Sequence, residues 1–179
     1  MMAIFENPNE PIQPQKGVYG WYAEKDSKKI TIYIGQAGKK NTYLPTGTLY
    51  RGASELQRSV FSSNTKKDNY STIDTDFIVG TAIRFFEKCG YQCVWKHIDN
   101  DPSREEEFVI AKKPILQDMP KTTIKGKFKL KKLVVDYWKK TQEKIDEAEN
   151  EVFKELSIET GIRIPQSAKK MKKSGSDWI

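Results

Sequence analysis

The sequence predicts a small α+β fold, an antiparallel three-stranded sheet flanked by helices and followed by a long C-terminal amphipathic helix. Three observations predict it. Residues 17–22 and 29–34 are apolar and aromatic runs on either side of the turn signal Asp26-Ser27, the pattern of a hairpin. Helical spacing follows, then a third aromatic and β-branched run at 91–98, then helical spacing again. Beyond residue 130, apolar residues recur every three or four positions.

Taken in order, Met1 to Gln15 holds three prolines and lacks the cationic start and apolar block of a signal peptide, so residues 1–16 read as a leader. Gly17 to Tyr22 is the first strand. Lys29 to Ile34 is the second, with Ile30, Ile32 and Ile34 expected on one face and Thr31 and Tyr33 on the other. Gly35 to Gly47, with three glycines, Pro45 and the pair Lys39-Lys40, marks a loop long enough to carry function. A helix starts near Thr48 or Ser54 and runs through Val60, Ser54 and Gln57 having capping-box spacing. Asn64 to Ser71 reads as a loop. Asp74 to Lys88 is a helix with Ile78, Ala82, Phe85 and Phe86 on its apolar face, Asp74 or Thr75 as cap and Gly90 as stop. Tyr91 to Ile98 is the third strand. Ser103 then caps a helix from Arg104 to Lys113, halted before Pro114, and the core ends near Gln117.

From Asp118 the composition changes. Lysines crowd residues 125–132, and Leu130, Val134, Tyr137, Thr141, Ile145, Ala148, Val152 and Leu156 form the stripe of one long helix. That stripe either packs back on the core or serves a partner chain or a DNA-side arm. The chain thus divides into a leader (1–16), a core domain (17–117) and a basic helical extension (118–179).

With 31 Lys+Arg against 24 Asp+Glu, the formal net charge is +7, a balance that draws polyanions. No apolar run approaches the length of a membrane span, and the expected location is the cytoplasm. Cys89 and Cys93 lack both the two-residue spacing and the further ligands of a zinc site, His97 being the only histidine. They read as two reduced thiols, one at a helix end and one in a strand.

Two tripeptides decide the functional reading. Gly17-Val18-Tyr19 and Tyr33-Ile34-Gly35, on neighbouring predicted strands with their tyrosines fourteen residues apart, resemble the paired signature of the GIY-YIG nuclease superfamily, Val18 standing for the usual Ile. The resemblance continues through Glu105, Phe108 and Val109 and the closing Pro114-Ile115-Leu116-Gln117, where Gln117 replaces a usual Asn. It covers residues 17 to 117. It implies a metal-dependent endonuclease that hydrolyses the phosphodiester backbone of DNA, double-stranded by preference, with Mg2+ or Mn2+ held by Glu105. Glu106 is the alternative ligand. Tyr19 and Tyr33 would orient the attacking water, and an arginine of the first helix, Arg51 or Arg58, would stabilise charge on the phosphate.

Elementary chemistry runs parallel. Phosphodiester hydrolysis needs a cation, an oriented water and a donor for the transition state, and a hydrated hard cation can be held through one carboxylate. Each residue also has an ordinary role: Glu105, Glu106 and Glu107 as a solvated helix N-terminus, the tyrosines as packing on a half-buried sheet. The His or Tyr that family members often place four residues after the arginine is absent, since Glu55 follows Arg51 and Ser62 follows Arg58. Lys29, Lys39, Lys40 or His97 are the available substitutes, His97 otherwise being a structural strand residue. Stand-alone members of this size include restriction, homing-type and repair-associated nucleases. The long 36–47 segment and the basic extension favour a type II restriction enzyme. Two rivals stand beside this reading, a non-catalytic nucleic-acid-binding protein on the same fold and an interaction module whose long helix forms a coiled coil. A double-strand cutter would act as a homodimer or by two successive visits.

Overall fold

The computed structural model describes residues 3–6, 16–38, 47–56, 70–118, 123–128 and 142–166. These form a mixed α+β fold with a four-stranded sheet and four α-helices. Strands β2 (Gly17–Lys25) and β3 (Lys28–Ala37) make the expected hairpin. It turns at Asp26, whose φ of 52° is the left-handed conformation that aspartate tolerates in turns. Strand β4 (Gln92–Asp99) pairs antiparallel with β2 on its other side.

The leader supplies an unexpected fourth strand. Residues Ile4–Glu6 form β1, parallel to β4, so the order is β1-β4-β2-β3 and the sheet exceeds the three strands expected. The physical reason is aromatic: Phe5 lies 5.3 Å from the Trp21 ring and 5.5 Å from Trp95, covering both indoles while its backbone satisfies the open edge of β4.

A second departure matters more for the site. Tyr22 pairs with Thr31 and Trp21 with Tyr33, so Ile32 is an extra residue on β3, a β-bulge. Simple alternation would put Ile30, Ile32 and Ile34 together and Tyr33 opposite them. The bulge instead turns Tyr33 onto the face shared by Ile30, Ile32, Tyr19 and Trp21, and sends Ile34 to the other face with Val18 and Tyr22.

The helices cover these two faces unequally. Helices α1 (Thr48–Leu56) and α2 (Tyr70–Lys88) lie over the Tyr19–Trp21 face. Helix α2 starts at Tyr70, before the expected Asp74, so residues 70 and 71 are helical and Asp74 and Thr75 lie inside the helix. Helix α3 (Glu105–Lys112) packs Val109 and Phe108 on the opposite face. It follows a short 3-10 turn, Pro102–Arg104, and the capping side chain there is Asp101, which accepts from the Ser103 backbone N–H, in place of the expected Ser103 cap. Of the predicted C-terminal helix, Gln142–Thr160 is described as α4, while Leu130, Val134, Tyr137 and Thr141 lie outside the described residues. Its buried residues Val152, Phe153 and Leu156 join the main core, Phe153 5.8 Å from Phe85, and Glu149 pairs with Arg84 at 3.1 Å. The described part of the stripe therefore packs back on α2.

The outer edge of β3 is closed. The Ile115 and Leu116 N–H groups donate to Thr31 and Ile32 carbonyls, and the Gln117 side chain forms a two-bond clamp on the Ile34 N–H and C=O, each at 2.8 Å. Cys89 and Cys93 are free buried thiols, with the Cys89 thiol pushed up to about 11 by burial. No described helix is long and apolar enough to cross a membrane.

Candidate active site

Helix α1 lies close to the sheet because Gly52 faces the Trp95 indole; a Cβ at Gly52 would stand 2.4 Å from Trp95 Nε1. One turn separates Arg51 from Glu55, so both meet the same patch of sheet. Beneath them are Tyr19 and Trp21, alternate residues of β2. Tyr19 Oη donates to Glu55 Oε1 at 2.5 Å, and Trp21 Nε1 donates to Glu55 Oε2 at 2.9 Å. Glu55 is wholly buried, and each carboxylate oxygen has a donor.

Both signature glycines have a steric cause. Gly17 has φ +145°, and a Cβ there would overlap the Asp99 carbonyl oxygen. A Cβ at Gly35 would stand 2.5 Å from Tyr19 Oη and 2.8 Å from the Tyr33 ring, so the glycine leaves the phenol room to reach Glu55. Tyr33 lies beside Tyr19, ring centroids 6.4 Å apart, and Trp95 stacks behind Tyr19 at 6.1 Å.

The electrostatics follow from burial. Arg51 Nη2 meets Asp76 Oδ1 of α2 at 3.1 Å, with Asp76 almost wholly buried and the arginine one-fifth exposed. Burial pushes the Glu55 carboxyl up to about 8, the Asp76 charge adding to the rise and the Tyr19 hydrogen bond and Arg51 opposing it. Asp76 is raised to about 6 by burial against the pull of Arg51. Both phenols are held well above the usual tyrosine range, by burial first and then by the Glu55 charge, with Glu105 adding to the effect at Tyr33. Burial opposes the charge on Arg51, but the acidic side chains around it, Tyr19 first and then Asp76 and Glu55, outweigh burial and raise it above the usual arginine value.

Of the residues singled out from sequence, Tyr19, Tyr33 and Arg51 come together here. Arg58 lies outside the described residues, as do Lys39 and Lys40. Helix α1 begins at Thr48, so Ser54 is a buried interior residue of the helix and not its cap, and Arg51 lies in the first turn, its N–H bonding the Gly47 carbonyl. Glu105 is the half-buried first residue of α3, whereas Glu106 and Glu107 are exposed and Glu107 is gripped by Arg104. Glu105 belongs to the opposite layer and acts on the group through its field at Tyr33. His97 bridges Thr48 and Asn100 at 3.1 and 2.9 Å, a strut between β4 and the start of α1. Lys29 pairs with Glu24 and lies over the Tyr22 ring.

Sequence reasoning missed Glu55 and Asp76 as site residues. For Glu55 a signal existed: it stands four residues after Arg51 and therefore on the same side of the helix. A metal finds no dense ligand set, since no three His, Cys, Asp or Glu side chains converge among the described residues. Glu105, half-buried at the start of α3, is a single carboxylate whose field reaches Tyr33, the donor set of a hard cation that keeps most of its water.

No family model matches the chain, and neither the curated proteins nor the solved structures contain a match to it.

Proposed function

We propose that the protein is a metal-dependent nuclease of the GIY-YIG kind that hydrolyses phosphodiester bonds in DNA. The observation that carries this reading is the meeting of Tyr19 and Tyr33 from two strands with Arg51 and Glu55 from α1. A divalent cation held by Glu105 would supply the charge that gathers the phosphate and its water. The chain's own groups divide the remaining work. Arg51 is the partly exposed cation of the set and can donate to a phosphate oxygen. Tyr19 can accept a proton from water as its own passes to Glu55 Oε1, leaving hydroxide, a neutral phenol and a neutral carboxyl. Trp21 holds the other carboxylate oxygen and so fixes which one receives that proton.

The test is incubation of purified protein with mixed duplex DNA, with and without magnesium or manganese, followed by sequencing of fragment ends. Cutting that needs the cation, stops in Glu105→Ala and leaves DNA binding intact is the expected result. Discrete plasmid fragments would further place it among restriction enzymes, and a smear would remove that narrower reading.

One observation favours a second reading, a non-catalytic DNA-binding protein on the same fold. Tyr19 is 1% exposed and Tyr33 8%, so the phenols can equally serve as interior packing. Wild-type protein that binds duplex DNA and never cuts it with either cation would establish this alternative.

A further inference from the structure

We propose that the groove along the outer edge of β3, lined by Lys29, Lys112, Lys113 and Lys125, binds the phosphates of the duplex that the candidate active site engages. The inference rests on the nuclease reading for its substrate, and on independent observations for its place. The groove has a volume of about 360 Å³ and includes Thr31 and one acid, Glu159. Glu159 is shared between Lys125 and Lys127, and Lys29 is paired with Glu24. The side chains of Lys112 and Lys113 meet no partner among the described residues. Among the described residues, positive charge therefore exceeds negative around the groove.

Backbone conformation gives the second observation. Three α-helices, α2, α3 and α4, are followed by described residues, and each meets a left-handed position within two residues of its end. After α2 that position is Gly90 (φ 82°), and after α4 it is Gly161 (φ 69°). After α3 it is Lys113, φ 50° and ψ 61°, whose N–H bonds the Val109 carbonyl. Glycine takes this conformation without the steric cost that a Cβ brings. A lysine where glycine would relax the chain, lining a groove and without a partner among the described residues, is local strain of the kind that accompanies function. Helix α3 itself connects the two places: Glu105 begins it and Lys112 ends it, about 10 Å of helix rise, or roughly three phosphates along one strand of duplex.

The experiment measures affinity of the whole protein for a duplex oligonucleotide in EDTA, from low to moderate salt, for wild type, Lys112→Ala/Lys113→Gly and the control Lys154→Ala, which lies on α4. The double variant is expected to lose affinity at low salt and to lower the slope of log K against log[salt] by about 1.8, roughly 0.9 for each lost phosphate contact. Lys113→Gly alone should bind more weakly while melting at the same temperature or higher, which separates lost charge from lost structure. Wild-type affinity and slope in the double variant, or an equal loss in Lys154→Ala, would overturn the proposal, as would no duplex binding by wild type. The groove and the nuclease reading fail separately: a chain that never cuts but loses the salt slope in the double variant keeps the groove, and a cutter with an unchanged slope loses it.

Discussion

Beneath α1 and along the outer edge of β3, the same fold handles charge in opposite ways. Under α1 the ionic groups are buried and tied to named partners: Glu55 to Tyr19 and Trp21, Arg51 to Asp76. At the β3 edge the lysines are wet, partly paired, and in Lys112 and Lys113 left without partners among the described residues. A buried group whose partner is removed keeps its desolvation cost, so changes there act on folding and chemistry together. An exposed ammonium loses only a screened attraction, so changes there are graded and disappear in salt.

The sharpest way to break this contrast is Arg51→Ala. It leaves Asp76 buried without its cation and should cost about 3–5 kcal/mol of stability, read as a fall in thermal or denaturant midpoint, besides abolishing cutting. A loss below 1 kcal/mol would show that solvent reaches Asp76 and that the region is wet like the edge.

Next in size is the response to pH. Glu55 is raised from 4.5 to about 8 and Asp76 from 3.8 to about 6, so the folded chain retains protons that the unfolded chain has released. Their contribution to stability is whole below about pH 4 and is lost as pH climbs through 6 and then 8, by up to about 1.4 kcal/mol per pH unit for each group while it titrates. Cutting should move the other way, rising toward pH 8 as Glu55 becomes able to accept the Tyr19 proton. Glu55→Gln should flatten both curves. Parallel curves in wild type and Glu55→Gln would remove Glu55 from the scheme.

Gly52→Ala should cost about 1–3 kcal/mol, because the new methyl meets the Trp95 indole and lifts α1 with Arg51 and Glu55 on it. Smallest is Lys29→Ala at the edge, expected within about 1 kcal/mol and vanishing in high salt, since its partner Glu24 is itself partly exposed. Equal losses from these two would erase the distinction between the regions.

The hairpin, the α2 face, β4 and the position of α3 were legible in the sequence because each rests on a local period or turn signal. What escaped was set by contacts distant in the chain. β1 is three residues long and is drawn to the sheet by Phe5 meeting two indoles, which no local pattern announces. Tyr33 was expected opposite Ile32 because alternation is a rule of uninterrupted strands, and the extra residue at the bulge suspends it. Glu55 and Asp76 went unseen because amphipathic reasoning sends carboxylates outward, whereas here a phenol, an indole and a guanidinium receive them inside. Arg51 and Arg58 stay open in the sequence because the start of α1 does: Ser54 has the spacing of a cap yet is buried inside the helix, and Arg58 lies outside the described residues.

One consequence is optical. The Trp21 indole donates to the carboxyl that burial pushes up to about 8, so the dipole of its excited state feels that proton come and go. The difference in fluorescence between wild type and Trp21→Phe, followed across pH, turns this side chain into a gauge of Glu55 charge that works without substrate or turnover.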